Sequence, residues 1–304
     1  MPITTAVVGT GLAAHRARAT LRHCELFTTA GDEDVPAVPG AGAVALREWN
    51  RLLGNPNIEL LVIAAPPGDR IALSRAARAA GKAVLLEEGP PLSLAELDRL
   101  AEDDALLDAP VGMVLPFRAV LDLDQGLTRV PWTPVACAGL FVSEFVPRPV
   151  PPRNRRTGQP EDGGPALWPS RALLAAAGPL LDLACQLFGR PGSAHLKGAE
   201  TGSAAGSVDF VSGVPLALTV TVRSAIEDFH LKVTDVDRSI LLRGRELRIE
   251  DQNGLVTRTV PSHAELRLAS YRETARVLRS GASVGRRSPE STRFLAECLA
   301  LLRL

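Results

Sequence analysis

The sequence predicts an α/β protein in two parts: an N-terminal parallel sheet interleaved with helices, then an α+β domain built on a large, mostly antiparallel open sheet. Three observations predict it. Short apolar runs alternate with helical patterns over residues 3–115. A glycine turn separates the first apolar run from the first helix. Past residue 195 the pattern changes to short strand-like runs divided by Gly, Asp and Asn.

Taken in order, Ile3–Val8 reads as a buried strand, Gly9-Thr10-Gly11 as a tight turn and Leu12–Leu21 as a helix. Gly9, Gly11 and Ala14 fit the GxGxxG/A dinucleotide pattern of a Rossmann domain. The first glycine permits the turn, the second admits a pyrophosphate, and the small third residue lets helix and strand approach. Thr10, Leu12 and Ala13 complete the turn and helix start, whose free N–H groups suit phosphate. Glu25–Ala30 reads as the second strand. Asp32 stands about twenty residues past the turn, where a carboxylate can accept from a ribose hydroxyl. No Arg or Lys falls between Arg22 and Arg47, so a clamp for a 2′-phosphate is missing and NAD is favoured over NADP.

The central unit is Asn55–Leu97. Ile58–Ala65 reads as a strand buried on both faces. Pro66-Pro67-Gly68 breaks it, and Asp69 is expected to cap the following helix. Leu73, Ala76, Ala77 and Ala80 share one face of that helix and Arg70, Arg75 and Arg78 another. Gly81 ends it. Ala83–Leu86 then forms a strand running into Glu87-Glu88-Gly89-Pro90. The βαβ unit makes these strands parallel, with ligands expected at their carboxyl ends: Ala64, Ala65, Pro66 and Pro67 after one strand, Glu87 after the next. A helix over Ser93–Ala101 and a strand over Val111–Leu115 follow. The composition changes at Pro116-Phe117-Arg118, which places the domains at 1–118 and 119–304.

Beyond it the reading is a helix to Leu127, a strand over Val135–Val146, and a Pro-, Gly- and Arg-rich stretch at 147–169. That stretch is a surface loop, or a lid whose Arg148, Arg153, Arg155 and Arg156 meet an anion. Arg171–Phe188 is apolar nearly all round and is expected to be a buried helix, stopped at Gly189-Arg190-Pro191. Ser207–Val211, Leu216–Val222, Phe229–Val233, Ser239–Arg243, Glu246–Glu250 and Leu255–Val260 read as strands. Their alternation fits a sheet with one covered and one open face, which invites self-association. Ala264–Leu278 and Pro289–Leu302 close the chain as helices.

Composition narrows the classes. Hydrophobic residues make up 46% of the 304 and charged residues 22%, the balance of a globular chain. Thirty-four basic residues match thirty-four acidic ones, so nothing points to nucleic acid or an anionic membrane as partner. Cys24, Cys137, Cys185 and Cys298 contain no CxxC pair and are expected to be buried free thiols of a reducing compartment. No charged leader precedes an apolar segment, and no apolar run approaches the ~20 residues that span a bilayer, so the expected location is the cytoplasm.

The glycine turn Gly9–Ala14, the run IELLVIAAPPGD, the Gly81-Lys82 pair and VLLEEGPPLSLAEL together resemble the glucose–fructose oxidoreductase / inositol dehydrogenase (Gfo/Idh/MocA) family. So does the C-terminal order of long helix, large sheet and two final helices. The resemblance implies a Rossmann domain joined to a sheet domain. It also implies an NAD(P)-dependent oxidoreductase acting on a sugar, cyclitol or similar small hydroxy or keto compound. Partners would be a small-molecule substrate and further copies of the chain, as a homodimer or tetramer through the open sheet.

The family's catalytic residues do not carry over. Its strand end reads E-K-P; here Glu87 matches, Glu88 replaces the lysine and Gly89 the proline. In its second motif a histidine precedes an aspartate by three residues. Aligning Asp182 puts Pro179 at the histidine, and the family's upstream aspartate falls on Ala175. No histidine occurs between His23 and His195, no lysine before Lys197 except Lys82, and no acid between Asp162 and Asp182. The lysine-to-glutamate change alters local charge by two units, each worth about 4 kcal/mol at ~4 Å and an effective dielectric of ~20. The chain reads as a divergent member lacking the catalytic Lys and His, with Glu88 and Asp182 as candidate catalytic residues and Tyr271 or an arginine as other proton-relay groups. The alternatives are a nucleotide-binding protein without dehydrogenase activity, acting as sensor or partner subunit, and a structural subunit that binds no ligand.

Overall fold

The computed structural model describes residues 1–9, 11–29, 49–65, 67–87, 92–124, 127, 132–133, 135–145, 168–280 and 288–302. The chain divides into two compact units, Met1–Ala119 with Pro261–Arg293, and Val120–Val260 with Phe294–Leu304.

In the first unit β1 (Ile3–Gly9), β2 (Phe27–Thr29), β3 (Leu60–Ala64), β4 (Ala83–Leu86) and β5 (Val111–Met113) form a wholly parallel sheet in the order β2-β1-β3-β4-β5. Every residue of β3 and β4 is buried, as strands covered on both faces require. The strand order reverses beside β1, so the crevice outside the carboxyl ends of β1 and β3 is a topological switch point, where open α/β sheets bind ligands. The register pairs Gly9 with Ala64, the last residue of each strand.

The helices follow from local chemistry. α1 (Gly11–Arg22) buries Ala14 and Ala17 completely in the cluster that holds Val7 and Val62, and only small side chains permit that approach. α2 (Pro67–Ala79) starts three residues earlier than a cap at Asp69 would place it. Proline's fixed φ suits the first helical position, so Asp69 lies inside the first turn, beside the positive end of the helix dipole, rather than at the cap. α3 (Leu94–Asp104) opens with a complete capping box between Ser93 and Glu96. The arginine face of α2 is turned to this neighbour: Arg70 pairs with Glu96 at 3.2 Å, Arg75 with Asp103 at 2.7 Å and Arg78 with Asp104 at 2.7 Å. Arg78 also donates to the carbonyls of Ala109 and Leu107.

Within the expected helix to Leu127, residues Pro116–Asp122 take the 3-10 form, common in short connectors. The chain returns to the first unit through α5 (His263–Ser280), again opened by a capping box, Ser262 with Glu265. Tyr271 and Ala275 of α5 are fully buried in the cluster of β1, β3 and α1. That packing is why this late segment belongs to the first unit.

The second unit holds β6 (Cys137–Phe145), α4 (Trp168–Phe188), β7 (Pro191–Lys197), β8 (Ser203–Phe210), β9 (Pro215–Thr221), β10 (Arg223–Thr234), β11 (Arg238–Arg243), β12 (Glu246–Asp251), β13 (Gly254–Thr259) and most of α6 (Arg293–Leu302). The sheet order is β13-β12-β11-β10-β6-β9-β8-β7, antiparallel throughout except where β6 meets β9. β7 begins at Pro191, which the sequence marks only as a helix stop; an edge strand tolerates a proline at its first residue. α4 lies against β6, β8 and β9. On the other face Phe141 stacks on His230 at 5.2 Å and Arg243 pairs with Asp228 at 3.0 Å. The same alternation corrects one expectation. Cys24, Cys185 and Cys298 are buried free thiols, but Cys137 is exposed, because Ala138, Leu140 and Val142 of β6 take the covered face. Among the described residues no helix is long and apolar enough to cross a membrane.

Gly9 generates a direct test. Its φ is +134°, and a Cβ there would collide with the Ala64 carbonyl oxygen. Gly81 also has a positive φ, +74°, but its Cβ would meet nothing within 4 Å. Gly9→Ala should therefore lose well over 2 kcal/mol in chemical denaturation, whereas Gly81→Ala should lose about 1 kcal/mol, strain of the backbone alone. Equal losses would show that the Gly9–Ala64 contact sets no constraint.

Candidate functional site

The expected site residues that are described in the first unit converge on one edge. Gly9 ends β1, Ala64 ends β3 with Ala65 just after it, and Glu87 follows β4. The Glu87 N–H donates to the Ile63 carbonyl at 2.9 Å, which holds residue 87 level with the end of β3. α1 begins at Gly11, so its first N–H groups stand beside this edge, and Ala13 is half-buried in the first turn. Thr10, Asp32, Pro66 and Glu88 lie outside the described residues, as do Arg148, Arg153, Arg155 and Arg156. Of Leu12 and Pro67 only the backbone is described.

The donor set fits a dinucleotide's phosphates. Glycine at position 9 is sterically required, α1 begins two residues on, and both stand at the switch point of the sheet. The described charges at this edge are committed to one another. Glu87 is 6% exposed, and its Oε1 lies 2.8 Å from Arg267 Nη2. Tyr271, fully buried, donates its hydroxyl to Glu87 Oε2 and stands edge-on to Phe27 with ring centroids 6.0 Å apart. The Tyr271 hydroxyl is thus directed at Glu87 within the core.

Two other cations are placed elsewhere. Lys82 precedes β4, while Glu87 follows it; at ~3.3 Å per residue the strand separates them by roughly 16 Å. The Lys82 ammonium is buried and donates to the Asn55 carbonyl at 2.7 Å. Arg70 is 4% exposed and faces Glu96. Burial pulls its guanidinium below the ordinary value, against the opposing pull of Glu96.

Asp182 belongs to the second unit. It is 2% exposed within α4, between buried Leu181 and Leu183. Pro179 stands inside the same helix, where it removes the N–H that would have bonded the Ala175 carbonyl. Among the described residues no group of His, Cys, Asp and Glu could hold a metal ion. A cavity of about 450 Å³ opens between α1 and α5, bordered by Arg16, Thr20, His23, His263 and Arg267. None of the expected site residues lines it.

Sequence reasoning weighed Tyr271 but missed Arg267. A signal existed: Arg267 sits among Leu266, Ser270, Tyr271, Thr274 and Ala275, all buried positions of α5, where a lone cation requires an acidic partner.

No protein-family model and no curated protein matches the sequence. Solved structures do match its fold. A UDP-N-acetylglucosamine 3-dehydrogenase from Acidithiobacillus ferrooxidans superposes with a TM-score of 0.72 at 15% identity, over 100% of this chain and 97% of the other. A levoglucosan dehydrogenase in complex with NADH and L-sorbose gives 0.69 at 15% identity, over 97% and 94%. A biliverdin reductase from Synechocystis, in complex with biliverdin and NADP+, gives 0.65 at 17% identity, over 100% of both chains. End to end, the chain shares the fold of these oxidoreductases.

Proposed function

We propose that the chain is an NAD(P)-dependent oxidoreductase of a sugar, cyclitol or similar small hydroxy or keto compound, working without the family's lysine and histidine. The observation that carries the reading is the glycine-required turn at the switch point, Gly9 against Ala64, in a fold shared with enzymes solved with NADH or NADP+. Gly9, Thr10, Gly11, Leu12 and Ala13 would hold the pyrophosphate, Asp32 a ribose hydroxyl, and Ala64–Pro67 the face of the dinucleotide. NAD is favoured over NADP. The nicotinamide would supply or accept the hydride. Glu88, next in the chain to the fixed Glu87, would take or return the hydroxyl proton as a general base, for which its surroundings must raise its pKa. Asp182 is the second candidate carboxylate. The uncovered face of the eight-stranded sheet would join copies of the chain as a dimer or tetramer.

A second reading is favoured by the commitment of the charges. At the described edge Arg267 and Tyr271 are engaged with Glu87, and Lys82 stands at the far end of β4. A protein that binds the nucleotide but catalyses nothing, as sensor or partner subunit, would need no more than this.

Titration with NADH and NADPH, followed by fluorescence and thermal shift, should show saturable binding of at least one; absence of both removes both readings. Given binding, turnover on a panel of sugars, cyclitols and keto acids separates them. Glu88→Gln should lower kcat by about 100-fold or more, the usual worth of a general base, with the nucleotide Kd nearly unchanged. Unchanged turnover would remove Glu88 from the mechanism. Glu88→Lys alone should create no activity in an inactive wild type, since no histidine accompanies it.

A further inference from the structure

One face of α5 closes on a single carboxylate. Arg267 and Tyr271 are four residues apart, one turn, and so project together. Their partner Glu87 has a fully buried side chain, and that of Arg267 is 5% exposed. Tyr271 is held in turn by Phe27 and the apolar cluster of β1, β3 and α1. The main chain of residue 87 is fixed as well, by its N–H bond to Ile63. Backbone and side chain are therefore both immobilised at the last position before Glu88.

Stability alone is a poor account of such a cluster. Removing two ions from water costs so much that apolar replacement of a buried pair is often neutral or stabilising. What the pair does supply is direction. Ion-pair and hydroxyl geometry tolerate little displacement, whereas an apolar side chain slides.

We propose that Arg267 and Tyr271 are positioning residues of the nucleotide site. They clamp Glu87 from α5 and so fix the carboxyl end of β4 beside the crevice. Glu87 itself acts as the clamped support, not as a contact to the cofactor. The proposal rests on the reading of that crevice as a nucleotide site.

The test is the double variant Glu87→Met with Arg267→Met, which removes the ion pair without leaving a lone buried charge. Its thermal midpoint should stay near that of the wild type. Hydrogen exchange across residues 85–92 should speed by about tenfold or more, with β1 and β3 unaffected, because only one segment is released. NADH affinity should fall by about tenfold, the loss of one well-placed contact. Arg267→Lys, which keeps the charge, should recover most of that affinity. A double variant with wild-type exchange and wild-type NADH affinity overturns the proposal. So does a loss of affinity that accompanies faster exchange throughout the protein, since the cluster would then be structural only.

If the double variant does not fold, Tyr271→Phe decides. Local loosening at 85–92 with weakened NADH binding supports the clamp, and no change in either overturns it. If the wild type binds neither NADH nor NADPH, the nucleotide reading fails on its own. The exchange at 85–92 then decides whether α5 clamps the strand end.

Discussion

The carboxyl edge of the first sheet depends on one close approach, the backbone of Gly9 against the carbonyl of Ala64. Two parallel strands end at the same level there, and the strand order reverses beside them. A side chain at residue 9 would push β1 from β3 at the position where a ligand's phosphates would lie against the turn. The small residues of α1 have the same purpose one layer away: Ala14 and Ala17 let the helix settle onto the sheet, so its N-terminus points at the crevice.

A second constraint is electrostatic. Several described charges of the first unit are engaged in place. The arginines of α2 meet the acids of α3, Lys82 meets a carbonyl, and Glu87 meets Arg267. Such commitment suits a scaffold that fixes a ligand but leaves proton transfer to groups beyond these pairs.

Much of this was legible in the sequence. Period-two and period-3.6 patterns give nearly every element, because burial on one or both faces dictates them. The glycine turn is legible because only glycine satisfies Gly9's backbone. What escaped is tertiary or marginal. The start of α2 at Pro67 depends on proline's tolerance at a first turn, and β7 on its tolerance at an edge. The exposure of Cys137 is set by which face of β6 α4 covers. The partners of Glu87 lie on a helix nearly two hundred residues later, and no local spacing signals which face of α5 meets which strand end. Arg267 shows only as a cation out of place on an apolar face.

That separation has a consequence during synthesis. Glu87 leaves the ribosome long before Tyr271, 184 residues further along the chain. At about 5–20 residues per second the interval is roughly 10 to 40 s. Throughout it, the first sheet carries a carboxylate at the end of β4 without its counter-charge, beside an apolar cluster that still lacks Tyr271 and Ala275. The N-terminal strands can pair early, but the unit cannot be finished until the intervening sheet has been made. The first unit is therefore completed late, by a helix from the last third of the chain.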